Sequence, residues 1–183
     1  MHGIMQDILT LMIEPNNIMC NLCIGNLLLQ IISSVTLMHH FLQQKKKVSM
    51  GACLRDEKGT FVAALTTYCE VVITIAEGEA WGLYEGIQWI SSLRYHNVIF
   101  KLDCKMVVDD VHNGKMNLSE YGSIVQNCRT LLDHYNDFVV VFTRRQGNGS
   151  AHALAREVLS HVSRSTFDVI PFCIATIIMN ETP

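Results

Sequence analysis

The stretch that decides the fold reads Ile75-Ala-Glu-Gly-Glu-Ala-Trp-Gly-Leu-Tyr-Glu-Gly-Ile87 and then, after a polar turn, Asn97-Val-Ile-Phe-Lys-Leu-Asp-Cys104. From Ala80 to Ile90 the apolar residues recur at spacings of three and four, which predicts an amphipathic helix. The second part is a short run rich in Val, Ile and Phe, which predicts a buried strand that ends on an aspartate. The stretch therefore predicts a helix followed by a strand of an α/β sheet.

Two carboxylates of this stretch are expected to converge. A helix followed by a strand places Glu79 in the first helical turn and Asp103 at the carboxyl end of the strand. Open α/β sheets bind ligands at that edge, and paired carboxylates suit the hard cation Mg²⁺. On spacing alone, the alternative is that neither carboxylate binds a metal. The helix dipole by itself favours Glu in a first turn, and Asp is common in the turn after a strand.

Composition limits the classes of protein to which the chain can belong. It has 183 residues, 49% of them hydrophobic, which predicts one globular domain with a real core. The formal charge of −3 supplies no general basic field, so nucleic-acid binding would need a local patch. Seven scattered cysteines indicate reduced thiols, and hence an intracellular protein of the nucleus or cytoplasm, not a secreted one.

Residues 1–34 form an atypical apolar amino-terminal segment. A membrane helix is disfavoured because polar residues interrupt the run and no Lys or Arg precedes it, so no membrane partner is expected. Its Cys20-Asn-Leu-Cys23 lacks the second ligand pair that structural zinc requires. We expect the part from Met1 to Asn26 to contribute little to the core.

The remaining sequence predicts the order βββαβαβα, which is typical of a mixed sheet with helices on its faces. The predicted strands are Met50–Arg55, Phe61–Thr66, Tyr68–Thr74, the strand before Asp103, and Phe138–Phe142. The predicted helices after the first are Cys104–His112, Leu118–Tyr135 and Ser150–Val162.

The carboxyl-terminal motif Thr143-Arg-Arg-Gln-Gly-Asn-Gly-Ser-Ala-His-Ala-Leu-Ala-Arg156 resembles that of the ribonuclease H type-1 fold, in its plant retroelement-related branch. Gly51-Ala-Cys-Leu-Arg-Asp-Glu-Lys-Gly59 is similar to the family's hairpin, and the helix and strand of the opening stretch are similar to its first helix and fourth strand. The likeness runs from about Val48 to the end. It implies three antiparallel strands followed by parallel strands, with residues 35–165 as the ribonuclease H-like domain and 166–183 as a tail.

The resemblance implies cleavage of the RNA strand of an RNA–DNA hybrid, with two Mg²⁺ (or Mn²⁺) ions held by four carboxylates. It assigns catalytic roles to Glu79, Asp103 and His152, and metal ligation to Glu79 and Asp103. His152 stands at the last carboxylate position, as in many members of that branch. The implied partner is nucleic acid, either the hybrid or RNA, bound by a monomer.

Nucleic-acid contacts are expected from Arg144, Arg145 and Asn148, which precede the last predicted helix and would lie near its positive end. Solvated loop arginines are the simpler alternative.

The first catalytic aspartate of the family has no counterpart here. Counting back from Met50-Gly-Ala-Cys53 places Met38 at that position, and no acidic residue lies between Glu14 and Asp56. Three hypotheses follow: a hybrid ribonuclease, a nucleic-acid-binding module without catalysis, and a truncated copy with a foreign amino end. For the chain as written, impaired hydrolysis is expected.

Overall fold

The computed structural model describes most of the domain but not the amino-terminal segment before residue 33. The described residues are 33–42, 47–71, 73–114, 117–144, 148–157 and 164–181. Nearly all of the apolar segment 1–34 lies outside them, including Cys20 and Cys23, and so does Arg145.

Strands and helices alternate along the described chain after an opening run of strands. The strands are β1 Ser33–Leu42, β2 Lys47–Arg55, β3 Phe61–Cys69, β4 Val98–Leu102, β5 Phe138–Phe142 and β6 Ser165–Phe167. The helices are α1 Ile75–Ser92, α2 Lys105–Asn113, α3 Glu120–His134, α4 Gly149–Glu157 and α5 Phe172–Glu181. Among the described residues, no helix is both long enough and apolar enough to cross a membrane.

The strands form a mixed sheet in the order β5-β4-β1-β2-β3-β6. β1, β2 and β3 pair antiparallel in succession, and β4 joins β1 in parallel, with β5 parallel to β4. This pattern confirms the predicted fold class of three antiparallel strands followed by parallel ones.

Helices cover both faces of the sheet, as consecutive residues of β2 show. A Cβ built on Gly82 of α1 would meet the Met50 side chain at 3.6 Å, so Met50 faces α1. A Cβ built on Gly51 would instead meet α4, at 2.5 Å from the Ala155 nitrogen. Because successive side chains of a strand point to opposite faces, α1 and α4 lie on opposite sides of the sheet.

The prediction of a strand at Tyr68–Thr74 is wrong. β3 ends at Cys69, and Thr74 has become the amino-terminal cap of α1. The third antiparallel strand is β1, in a region that composition had marked as an apolar run. The cap explains the error, because a threonine that bonds the first helical turn also has high β propensity.

The described part of the segment that the sequence assigns to a tail, residues 166–181, pairs and packs with the rest of the fold. β6 pairs antiparallel with β3, from Ala64↔Phe167 to Thr66↔Ser165. α5 then buries Ile174 and Ile178 in a cluster with Cys53 of β2 and Leu154 of α4.

Candidate functional site

The amino end of α1 fixes the position of Glu79. The Glu77 amide donates to Thr74 Oγ1 at 3.3 Å and the Thr74 amide donates to Glu77 Oε2 at 2.6 Å, which is a capping box. The helix therefore begins at Ile75, and Glu79, its fifth residue, lies in the second turn rather than in the first. Glu77 is the first-turn acid. Glu79 is only 8% exposed, so a favourable interaction with the helix dipole at a solvated helix end does not explain why a glutamate occupies this position.

Asp103 directly follows β4, as the sequence predicts. Its Oδ1 is buried, and among the described residues no group donates a hydrogen bond to it. An unsatisfied buried acceptor is costly in a folded protein and is characteristic of sites that bind a ligand or an ion. A bound cation or hydrogen-bond donor at Asp103 would offset this cost.

The neighbouring thiol links the two carboxylates. Burial raises the pKa of Cys104, and the negative charges of Glu79 and Asp103 both raise it further. Both carboxylates are therefore close enough to act on the same sulfur at the amino-terminal cap of α2. Glu79 in α1 and Asp103 at the carboxyl end of β4 thus both lie within electrostatic range of Cys104. The sequence interpretation missed Cys104, although its position immediately after Asp103 was the available signal.

The chemistry of these two carboxylates fits a hard divalent cation, since both offer oxygen ligands and one oxygen is buried without a donor. The number of protein ligands that the described residues offer is too small for a complete coordination shell. Within the part of the chain that the structure describes, no group of three or more His, Cys, Asp or Glu residues is arranged to hold a metal ion. Water or a bound phosphate would have to complete the coordination of any cation placed there.

The backbone of Met38 lies at the same end of the sheet. β1 pairs in parallel with β4 from Ser33↔Val98 to Thr36↔Lys101, and Met38 lies two residues after Thr36, as Asp103 lies two residues after Lys101. On its other side Met38 is the cross-strand partner of Gly51. The position to which the sequence assigns the absent aspartate thus lies toward the same end of the sheet as Asp103.

α4 approaches this region through β2. A Cβ at Gly51 would collide with the carbonyl oxygen of Ala151, the residue before His152. The Ser49 hydroxyl donates to the Ala155 carbonyl at 2.6 Å and holds the last turn of α4 on the same face. His152 is half-buried on this helix. Gly51, the cross-strand partner of Met38, therefore lies against the helix that carries His152.

The three residues expected to contact nucleic acid have different environments. Arg144 is exposed in the loop after β5, which suits contact with a phosphate. Arg145 lies outside the described residues. Asn148 has 0% exposed surface, and its side-chain oxygen is buried at the start of α4. Contact of Asn148 with nucleic acid stays a prediction.

Comparisons with known proteins agree with this architecture. The family model described as reverse transcriptase-like matches residues 39–158. No curated protein matches the sequence. The RNase H1 structure from the archaeon Halobacterium salinarum is 16% identical, with a TM-score of 0.62 over 72% of this chain and 98% of that one.

Two further solved structures have the same fold. The amino-terminal RNase H domain of a Mycobacterium tuberculosis protein, solved as a fusion with maltose-binding protein, is 15% identical, with a TM-score of 0.62 over 71% of this chain and 94% of that one. LC11-RNase H1, from a compost metagenome and solved in complex with an RNA/DNA hybrid, is 14% identical, with a TM-score of 0.61 over 68% of this chain and 94% of that one. With the family match covering most of the domain, the chain belongs to the reverse transcriptase-like family and has the ribonuclease H-like fold.

Proposed function

We propose that this chain is a nucleic-acid-binding ribonuclease H-like module whose partner is an RNA–DNA hybrid and whose hydrolytic activity is impaired. The proposal is supported by the buried Asp103 oxygen that has no donor among the described residues, by the charge of Glu79 acting on the adjacent Cys104, and by the position of Met38 on the strand next to β4. The motifs shared with the plant retroelement-related branch support the same origin for this chain.

The proposed cation is Mg²⁺ or Mn²⁺, with Glu79 and Asp103 as its protein ligands. When bound, such an ion polarises a phosphate oxygen and lowers the pKa of a bound water. Asp103 supplies a buried oxygen that is otherwise without a donor among the described residues, and Glu79 supplies a second negative charge from α1. The two carboxylates that the described residues offer give a weaker site than three or four, because ligand charge sets the affinity for these ions.

Impaired hydrolysis follows from the residue type at position 38. A methionine offers a thioether, which is a poor ligand for Mg²⁺. Two-metal cleavage needs a group that holds both ions close enough to stabilise the attacking and leaving oxygens. The register of β1 with β4 supports Met38 as the position of that missing group. We therefore propose that the cleft is retained for binding and that His152 alone does not restore catalysis.

The partner class is supported by the fold and by one exposed cation. LC11-RNase H1, which shares this fold, was solved with an RNA/DNA hybrid. Arg144 is exposed in the loop that leads to α4. Since the chain as a whole carries a formal charge of −3, binding to a polyanion depends on such local groups.

We expect Arg144→Ala and Arg145→Ala each to weaken binding to a labelled RNA–DNA hybrid and to lower the slope of log affinity against log salt by about one, the change for one lost phosphate contact. Fluorescence anisotropy over a series of salt concentrations measures both quantities. Arg156→Ala is the matched control, since Arg156 is also exposed but lies at the opposite end of α4. Equal losses in Arg144→Ala and Arg156→Ala would show that Arg144 is ordinary surface.

A further inference from the structure

Residues 164–181, here named the C-terminal strap, run around one edge of the sheet. β6 covers the edge of β3 with three paired residues, which leaves β6 as the new edge strand. α5 then packs on the face that carries α4, where Ile174 and Ile178 are 0% and 4% exposed. The strap therefore connects the edge of the sheet to the helix of His152.

The strap begins with a contact to the opposite face. Arg164 Nη1 donates to Glu85 Oε2 at 2.7 Å, and Glu85 belongs to α1. The Glu85 side chain is only 8% exposed, whereas that of Arg164 is 44% exposed. Burial raises the pKa of Glu85, and the Arg164 charge opposes that rise. The strap thus brings a cation to a carboxylate that α1 holds away from water.

We propose that the strap opens and closes as one unit and that the Glu85–Arg164 ion pair fastens it. The physical reason is that little of the strap is buried. Ile174 and Ile178 are its buried residues among those whose burial the structure describes, its strand β6 is three residues long at the edge of the sheet, and segments with few buried apolar contacts open at lower free energy than the core. The ion pair adds a charge-assisted hydrogen bond at the start of the segment, and the packing of Ile174 and Ile178 holds its end.

The strap is also connected to the candidate site by packing. Ile174 and Ile178 share a buried cluster with Leu154, which is two residues from His152 on α4. When the strap is open, α4 loses part of the apolar surface against which it packs. The strap is therefore a conformational device that controls how firmly α4 is held, whether or not the chain binds nucleic acid.

Hydrogen exchange measured by mass spectrometry on the full chain tests this inference. Arg164→Ala is expected to raise the opening constant of the 165–167 and 172–181 amides together by roughly tenfold, a modest value for a charge-assisted hydrogen bond because Arg164 is partly solvated. The amides of α3 are the internal reference and are expected to exchange at the wild-type rate. Equal acceleration in α3 and in the strap would mean global destabilisation and would overturn the proposal.

A second substitution separates the ion pair from simple packing. Arg164→Ala leaves a buried carboxylate without its cation, a state that is more costly than removing both charges. Adding Glu85→Gln to Arg164→Ala is therefore expected to slow strap exchange again relative to Arg164→Ala alone. Identical exchange in the single and double variants would show that the pair does not fasten the strap.

Lys105→Ala is the matched control for loss of a salt bridge. Lys105 and Asp109 form an exposed ion pair of 3.1 Å within α2, away from the strap. This variant is expected to leave strap exchange unchanged. A change as large as that in Arg164→Ala would mean that general charge effects cause the opening, and the proposal would fail.

Discussion

Gly51→Ala is expected to destabilise the domain by about 3 kcal/mol or more, because the close approach of α4 to β2 leaves no space for a methyl group. The added Cβ would collide with the Ala151 carbonyl oxygen and lie 2.5 Å from the Ala155 nitrogen and 2.8 Å from Leu154 Cβ. Two of these atoms are backbone, so no side-chain rotation relieves the contact. Urea unfolding followed by tryptophan fluorescence measures the loss.

Gly82→Ala is the matched control, with an effect of opposite sign. Among the described residues, the Cβ added in α1 would meet only the Met50 side chain, at the ordinary distance of 3.6 Å. Because glycine in a helix interior is less favourable than alanine by roughly 0.5–1 kcal/mol, this variant is expected to be more stable than wild type by about that amount. A Gly51→Ala protein as stable as Gly82→Ala would show that α4 does not press on β2 as described.

Met38→Asp is expected to create Mg²⁺-dependent cleavage of an RNA–DNA hybrid where the unmodified chain shows none above background. The substitution places a carboxylate two residues after Thr36 of β1, as Asp103 lies two residues after Lys101, the partner of Thr36 in β4. A single group that stabilises charge in a transition state changes a rate by on the order of 10²-fold, which sets the expected gain. A labelled hybrid resolved by gel electrophoresis measures it, and Glu79→Gln added to Met38→Asp should remove it.

The fourth ligand position is tested by comparing Met38→Asp with and without His152→Asp. Equal activity in the two variants would mean that the imidazole of His152 suffices there, whereas a higher rate in the double variant would mean that a carboxylate is needed. Cleavage by the unmodified chain that Glu79→Gln abolishes would contradict the proposal of impaired hydrolysis. If all of the Met38→Asp variants bind the hybrid but do not cleave it, the binding proposal would still hold. The methionine at position 38 would then not explain why the chain lacks hydrolytic activity.

The two expected results also separate fold from function. Gly51→Ala acts through the packing of α4 and is read by unfolding alone. Met38→Asp acts at the carboxyl end of β4 and is read by cleavage alone. If Met38→Asp fails while the Gly51 and Gly82 variants behave as expected, the fold is as described and only the assignment of position 38 is wrong.

Periodicity and residue type were enough to predict the elements that a local pattern defines. The strand Phe138–Phe142 is confirmed residue for residue, and α1 follows the spacing of its apolar residues. Asp103 is likewise confirmed at the end of β4, because a polar residue closing a short apolar run marks where a buried strand stops. The mixed sheet followed from the order of these elements.

Other features depended on residues that are distant in the sequence. β1 was hidden in an apolar run and is defined by its pairing with β2 and β4, while β3 ends at Cys69 because Thr74 is committed to capping α1. The burial of Asn148 was invisible in a loop sequence that reads as solvated.

The sequence by itself determined most of the helices and strands and indicated Glu79 and Asp103 as candidate ligands, because those properties depend on neighbours within a few positions. Only the tertiary structure decided that the charges of both carboxylates raise the pKa of the same thiol and that the missing Cβ of Gly51 lets α4 pack closely on β2. It also decided that Arg164 forms an ion pair with Glu85. The physical reason is that burial, steric contact and ion pairing depend on distances in space. Those distances are fixed when the sheet brings together residues that are far apart along the chain.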